Sequence, residues 1–322
     1  MADMKTICLS LSVAFAALLA VRGAEPVRRL ILADESRARL HYYDSSDPAK
    51  CFFVPAEKDV WDLQRIGKPE PGRIGRFRFV CKRGFQVVDL DTRKVVDVFR
   101  HNALTGVSAV SDLPGGGFIA CVNPGGRMKN KAVLIRKFSA DRRLVATYTF
   151  AGIYYARTMT LLPDGEIIIA HMTGFTRGRL PKADRDLPGE VIQHARMPRS
   201  RNLFHVIPRR DGTGYLAGAG YAAELLHYDR KGQVTASWTV PAEPDSKGYF
   251  YGQIQEMANR HVYVANWSGH GKNDSYKGWQ VAEFDENGKV VWKLRNPDLY
   301  GSTSGMLVLE APGKDKPKPP AK

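Results

Sequence analysis

The stretch "VYVANWSGHG" (residues 262–271) begins with alternating apolar residues and breaks off at a polar, glycine-rich segment. Alternation with a period of two, in β-branched and aromatic residues, predicts a strand. Five other segments end in the same way: "LILADES" (30–36), "RFVCKRG" (78–84), "FIACVNPGG" (118–126), "IIIAHMTG" (167–174) and "YLAGAGY" (215–221). Their aligned small residues, Ala33, Cys81, Ala120, Ala170, Ala217 and Ala265, are 48, 39, 50, 47 and 48 residues apart. This regular spacing indicates a repeated structural unit.

A second repeated feature is a turn followed by a further strand, as in "HYDRKGQVTASW" (227–238). The turn residues that align are Asp44, Asp91, Ser139, Asp229 and Asp285. One interval is nearly twice the others, so one copy between residues 140 and 228 is degenerate. With a preceding strand, each unit holds about four strands in about 40–50 residues, which is typical of a β-propeller blade.

The two ends of the chain predict how the ring closes. The first copy lacks an inner strand, and the last copy is followed by one unassigned strand, "TSGMLVLE" (303–310). Pairing that strand into the N-terminal blade removes two exposed strand edges. We therefore predict an all-β fold, a six-bladed β-propeller closed by a C-terminal strand that pairs into the N-terminal blade.

The termini carry composition signals of their own. Residues 1–23, with Lys5 ahead of an apolar run and small residues near Gly23, predict a signal peptide and a secreted or periplasmic protein. Residues 24–311 form the single predicted propeller domain. The Lys/Pro-rich tail, 312–322, is predicted to be disordered. Three cysteines remain after cleavage, an odd number without a C-x-x-C motif, so neither a disulfide scaffold nor a thiolate zinc site is indicated.

The blade motif "AEFDENGKVVWKL" (282–294), with Asp285, Gly288 and Trp292, resembles that of secreted bacterial propellers of the PQQ-like, NHL-like and arylsulfotransferase-like superfamily. The resemblance implies the architecture. PQQ itself is not expected, because the adjacent cysteines and extra blades of quinoproteins are missing. Gluconolactonase-like propellers hold calcium, and this resemblance implies Asp34, Asn123 and Asn266 as possible metal ligands. Arylsulfotransferases place histidines at the propeller centre.

Propeller geometry predicts that the ends of the second strands and the blade connectors lie on one face. The residues that follow the aligned small positions form a ring there: Asp34, Lys82, Cys121, His171, Gly218 and Asn266. The predicted ligand-binding residues on this face are Asp34, Asn123, Tyr155, Arg157, Tyr251, Gln253, Asn266 and Trp267. The alternative is that polar residues at strand ends only satisfy free backbone groups.

Three histidines, His101, His171 and His270, are candidate catalytic residues, as a base or a nucleophile in group transfer. Their spacing matches no metal motif, and isolated histidines are commonly structural. The segment 174–201 has seven basic and three acidic residues. It is either a lid over an anionic ligand or a plain insertion containing a degenerate strand, "GEVIQHA" (189–195).

The net charge of +15 favours an anionic partner, and no nucleic-acid-binding motif accompanies it. The leading hypothesis is an exported binding module for an anionic small molecule, a glycan or an envelope protein. The alternative is a propeller enzyme, either a calcium-dependent lactonase-type hydrolase or a histidine-dependent arylsulfotransferase-like transferase. A purely structural envelope protein is the third possibility.

Overall fold

The computed structural model describes residues 26–58, 60–125, 131–197, 202–244 and 246–310. Over these ranges the protein is a six-bladed β-propeller. Each blade is a sheet built on four antiparallel strands, and one blade has a fifth strand. The predicted signal peptide and tail lie outside the described residues. Within the described part of the chain helices are limited to short turns, and none could span a bilayer.

The strands are numbered in chain order and grouped by blade, from the channel outward. Blade 1 contains β25 (Thr303–Glu310), β1 (Arg29–Asp34), β2 (Arg39–Asp44) and β3 (Phe52–Pro55). Blade 2 contains β4 (Trp61–Ile66), β5 (Arg76–Cys81), β6 (Gly84–Asp89) and β7 (Lys94–Arg100). Blade 3 contains β8 (Val107–Asp112), β9 (Phe118–Val122), β10 (Ala132–Phe138), β11 (Leu144–Ala151) and β15 (Leu187–Pro188).

The remaining blades follow the same order. Blade 4 contains β12 (Ala156–Leu161), β13 (Glu166–His171), β14 (Gly174–Arg179) and β16 (Glu190–Arg196). Blade 5 contains β17 (Leu203–Pro208), β18 (Gly214–Ala219), β19 (Glu224–Asp229) and β20 (Val234–Trp238). Blade 6 contains β21 (Tyr251–Glu256), β22 (Val262–Asn266), β23 (Val281–Phe284) and β24 (Val290–Leu294). Short 3-10 turns occupy Pro48–Lys50, Asn102–Leu104 and Asp274–Lys277.

The C-terminal strand closes the ring, which confirms the predicted closure. Strand β25 pairs antiparallel with β1, and Ala33 lies opposite Gly305. The aligned small residues of the repeat are all buried in the second strands of their blades. Six apolar clusters lie between neighbouring blades; the one at the seam joins Leu30 and Leu32 of blade 1 to Tyr263 and Ala265 of blade 6. The core is therefore distributed around the ring rather than concentrated in one place.

Side chains of the innermost strands bond to the backbone of the next innermost strand. The Asp62 carboxylate accepts from Val110 N–H, and the Thr160 hydroxyl donates to the Val206 carbonyl. His205 Nδ1 accepts from Ile254 N–H, and the Gln255 amide bonds both backbone groups of Val308. Ser304 of blade 1 donates in the same way to the Val60 carbonyl, which directly precedes the innermost strand of blade 2. These bonds satisfy backbone groups that would otherwise be free at the channel.

The segment 174–201 contains the degenerate strand of the second alternative, but it belongs to the blades instead of forming a plain insertion. Through residue 196 it provides the two outer strands of blade 4, and the link between them contributes β15 to blade 3. Arg177 and Arg179 both pair with the buried Glu166 carboxylate instead of covering a ligand. The predicted degenerate strand is therefore real, while residues 198–201 lie outside the described residues.

Candidate functional site

The ring face, where the second strands end and the innermost strands begin, carries two adjoining cavities. The larger has a volume of about 430 Å³ and extends over blades 2 and 3. The smaller, about 40 Å³, is lined by residues of blades 1, 2, 4, 5 and 6. Trp61 and His270 line both cavities and so form their common wall. We call the two cavities together the ring-face site.

A buried carboxylate holds the imidazole of His270 in this wall. Glu35, 6% exposed, follows β1, and its Oε1 lies 2.7 Å from His270 Nδ1. The Trp267 indole N–H donates to the second oxygen, Oε2. Glu35 and His270 are 235 residues apart in sequence and meet only because blade 6 closes on blade 1. The pairing was not predicted, although His270 was a candidate catalytic residue and Glu35 stands next to the predicted ring position Asp34.

The local backbone fixes the loop that carries His270. Gly269 and Gly271 flank the histidine, and Gly269 has a φ of +132°, in the region that favours glycine. The Ser302 hydroxyl accepts from the N–H groups of Ser268 and Gly269. Because Ser302 immediately precedes β25, the segment that closes the ring also positions the His270 loop.

Burial raises the pKa of Glu35, whereas His270 and the Trp267 indole lower it. An ionised Glu35 accepts from the indole and from His270 Nδ1–H. In the tautomer whose Nδ1–H donates to Glu35, Nε2 is the nitrogen that can accept a proton. Since 56% of the His270 side chain is exposed at the cavity wall, Nε2 is available to a ligand for proton transfer.

Aromatic rings form the wall of the smaller cavity. Phe250 makes edge contacts with Phe204, Tyr221 and Trp267, at centroid distances of 5.7, 5.3 and 5.6 Å. The Arg157 guanidinium lies 4.6 Å from the Tyr155 ring centroid and 5.6 Å from that of Phe250. Sequence reasoning missed Phe204, Tyr221 and Phe250, because apolar residues beside strands look like core.

Two cations stand on the rim of the larger cavity. Lys82 and Arg83 are exposed, and neither forms an ion pair with any residue in the described ranges. The neighbouring Arg100, by contrast, is engaged with Glu57. With Arg157 in the smaller cavity, the ring-face site has a basic character, because the one acidic side chain on its walls, Glu35, is paired with His270.

The Cys81 thiol lies in the larger cavity but is not poised as a nucleophile. It accepts a bond of 3.1 Å from Arg100 Nη1, and burial raises its pKa to about 11. The thiolate is the reactive form, so Cys81 stays a thiol at neutral pH. All three described cysteines, Cys51, Cys81 and Cys121, are free, whereas the odd count required only one free thiol.

The three predicted metal ligands are each engaged by the protein's own backbone. Asp34 accepts from Gly301 N–H at 2.7 Å and Arg37 N–H at 3.0 Å, and Asn123 bonds both backbone groups of Ala156. Asn266 makes four hydrogen bonds to backbone groups. The structure does not bring the three together, and the described residues contain no cluster of three or more His, Cys, Asp or Glu side chains able to hold a metal.

The other predicted residues divide between the ring-face site and the fold. Tyr155, Arg157, Trp267 and His270 line the site or contact its walls. The hydroxyl of the fully buried Tyr251 instead accepts from Val240 N–H. Gln253 bridges Leu63 and Met306 at the channel wall.

The other two candidate histidines lie away from Glu35. His171 is buried between Thr173 and Thr176, and burial lowers its pKa to about 3, so it stays neutral. His101 caps the turn Asn102–Leu104 by accepting from Ala103 N–H. The ring position Gly218 has no room for a side chain, because a Cβ there would lie 2.7 Å from the Gly252 carbonyl oxygen.

Comparison with known proteins finds likeness in structure but not in sequence. No protein-family model matches the chain, and no curated protein matches its sequence. A Bacteroides caccae protein of unknown function superposes with a TM-score of 0.66 at 16% identity, over 88% of this chain and 98% of the other. The likeness shows the propeller fold.

Two further solved structures have the same kind of likeness. A functionally unknown protein from Desulfotomaculum acetoxidans has a TM-score of 0.52 at 9% identity, over 87% of this chain and 98% of the other. Virginiamycin B lyase from Staphylococcus aureus has a TM-score of 0.50 at 12% identity, over 81% of this chain and 78% of the other. At such identities the propeller architecture is shared and the chemistry is not specified.

Proposed function

We propose that the protein binds a small organic anion carrying a planar ring in the ring-face site. The observation that carries this proposal is the rim of the larger cavity, where Lys82 and Arg83 have no ion-pair partner among the described residues. Arg157 adds a third cation next to the aromatic wall. A volume of about 430 Å³ suits a small molecule better than a protein segment.

Each part of such a ligand has a matching surface. The ring would contact the large apolar faces of Trp61, in the common wall, and Trp267, in the smaller cavity. The anionic group would meet the guanidinium and ammonium donors of the rim. Glu35 does not repel it strongly, because His270 and the Trp267 indole share the carboxylate charge.

A titration followed by intrinsic tryptophan fluorescence tests the proposal, with phenyl sulfate as the anion and benzyl alcohol as the uncharged analogue. We expect the Kd of phenyl sulfate to rise about three- to tenfold between ~50 and ~300 mM salt, because exposed charges are screened. Combining Lys82→Ala with Arg83→Ala should raise Kd about tenfold at low salt.

The matched control combines Arg230→Ala with Lys231→Ala, which removes one arginine and one lysine from a turn on the opposite face. It should leave Kd unchanged. Binding that is independent of salt, or an equal loss in both double variants, would contradict an anion site at the rim.

Acid–base catalysis at the same site is a second candidate function, favoured by the Glu35–His270 pair. A histidine oriented by a buried carboxylate is suited to take a proton from a ligand at Nε2 and to return it. This keeps the histidine-dependent enzyme among the possible functions and selects His270 over His101 and His171.

Turnover of 4-nitrophenyl sulfate, with phenol as acceptor, and of dihydrocoumarin tests this second function. If the protein turns over either compound, His270→Gln should lower kcat at least about 100-fold, the usual contribution of a general acid or base. His261→Gln is a matched control, since His261 forms a similar pair with Glu283 at 2.7 Å on the opposite face. No turnover by the native protein, or equal rates in both variants, would remove the catalytic hypothesis for these substrates.

We also propose a cellular location and a superfamily for the protein. The pattern of residues 1–23 supports a secreted or periplasmic protein, and the blade motif ending at Trp292 supports membership of the PQQ-like, NHL-like and arylsulfotransferase-like superfamily. A glycan is compatible with the same site if it carries acidic groups, since sugar rings also pack on tryptophan faces.

A further inference from the structure

A further cavity, of about 530 Å³, lies in the central channel and opens on the face opposite the ring-face site. Its walls come from the innermost strands of all six blades. The titratable side chains along it are Asp62, Arg65, Asp112, His205, Arg210 and Glu256. Apolar side chains such as Leu63, Leu161 and Ile207 lie between them. The cavity is therefore amphipathic and large enough for a small organic molecule.

Asp62 is the unusual residue of this channel cavity. Its side chain is only 4% exposed, and its backbone has a φ of +48°, which non-glycine residues seldom adopt. Oδ2 accepts from Val110 N–H and from Gln64 Nε2, each at 2.9 Å. Oδ1 makes no hydrogen bond with the described residues.

Arg78, the cation whose charge acts on Asp62, is paired with another carboxylate. Arg78 forms its ion pair with Asp112 and also donates to Gln64 and the Val110 carbonyl. The Glu256 carboxylate has Arg260 as a partner, 2.9 Å away. Of the three carboxylates along this cavity, Asp62 is the one without an ion pair within the described ranges.

The charge of Asp62 is costly because the carboxylate is buried. Burial raises the pKa of Asp62 to about 6, so the group is still mostly ionised at neutral pH. A buried carboxylate without a paired cation is unfavourable, and a cation from solution would remove that cost.

We infer that the channel cavity binds a small molecule through a primary ammonium group that pairs with Asp62 Oδ1. The neighbouring Gln64 and Thr160 provide polar surroundings, and the leucine and isoleucine side chains cover a short alkyl portion. The volume exceeds what a bare inorganic ion fills, which favours an organic amine. This inference is independent of the ring-face site, since it concerns another face and the opposite ligand charge.

The test follows the Asp62 carboxyl carbon by ¹³C NMR as pH is varied, in native protein, with and without butylammonium up to about 50 mM. Butanol is the uncharged analogue, and potassium chloride at equal ionic strength is the inorganic control. We expect butylammonium to lower the Asp62 pKa by at least about one unit, since a bound cation favours the ionised form. Butanol and potassium should have little effect.

Calorimetry on variants provides a second readout. Asp62→Asn should abolish the heat of butylammonium binding, whereas Asp141→Asn, in an exposed turn outside the channel, should retain it. If Asp62→Asn fails to fold, the NMR titration of the native protein still decides. An unchanged Asp62 pKa, an equal shift with potassium, or full binding by Asp62→Asn would overturn the inference.

Discussion

Asn266→Ala should lower the free energy of unfolding by about 4 kcal/mol. The side chain is 1% exposed and makes four hydrogen bonds to backbone groups. Its Oδ1 accepts from Tyr249 N–H at 2.8 Å and Phe250 N–H at 3.3 Å. Its Nδ2 donates to the carbonyls of Lys247 at 3.1 Å and Trp279 at 2.7 Å. Truncation leaves these groups buried with no side-chain partner.

Urea unfolding at neutral pH measures this loss, and Asn287→Ala in an exposed turn is the matched control, expected within about 0.5 kcal/mol of native. The same variant also tests calcium binding, which the family resemblance gives as a possibility. If Asn266 acts only in the fold, calcium and a chelator should leave the Tm of native and variant protein unchanged. A calcium-dependent Tm that Asn266→Ala removes would identify it as a metal ligand instead.

Asp34→Ala should have the second large effect, a loss of about 3–5 kcal/mol. The carboxylate is fully buried and binds His41 Nε2 at 3.1 Å in addition to the N–H groups of Gly301 and Arg37. Gly301 leads into β25, so this one side chain fastens the segment that closes the ring. Its removal weakens the seam between blades 1 and 6 and leaves buried donors without a partner.

Denaturant unfolding of Asp34→Ala should be compared with that of Glu286→Ala, which removes an exposed carboxylate from a turn of blade 6. We expect a near-native midpoint for the control and a strongly reduced one for Asp34→Ala. Since the seam also holds Glu35 and Ser302 in place, anion binding should weaken together with stability. A free energy of unfolding within about 0.5 kcal/mol of native would show that Asp34 does not fasten the closure.

The fold could be predicted because the six blades repeat the same local sequence pattern. Each second strand has a small residue where neighbouring blades approach closely, and the period of that residue, from Ala33 to Ala265, revealed the repeat. The unassigned strand 303–310 predicted the closure, which the pairing of β25 with β1 confirms. Repetition supplied six observations of one pattern, which is far more than a single strand provides.

The site was harder to predict, because polar residues at strand ends look alike in sequence whether they bind backbone or ligand. Asp34, Asn123 and Asn266 occupy predicted positions and use their oxygens to join segments of the fold. Glu35 stands one residue beyond Asp34 and faces the cavity instead. Successive residues of a strand face opposite sides, so an offset of one residue changes the surroundings of the side chain. The partner that reveals the role of Glu35 is His270, which is 235 residues away.

The 174–201 segment shows a related difficulty. Its basic composition suggested an anion lid, yet the arginines of β14 pair with Glu166 of the neighbouring strand. Cross-strand pairing depends on register, and register in this degenerate copy is not evident from its turn residues. The cations that do face a cavity, Lys82 and Arg83, come from an ordinary turn of blade 2.

The chain has five tryptophans, and a ¹H–¹⁵N spectrum of their indoles tests the central proposal most directly. Trp61 and Trp267 belong to the ring-face site, whereas Trp238, Trp279 and Trp292 pack against other parts of blades 5 and 6. During a phenyl sulfate titration we predict saturable shifts of the Trp61 and Trp267 indole signals, with the other three unmoved. Shifts confined to the other three, or none at saturating ligand, would contradict an organic-anion site on the ring face.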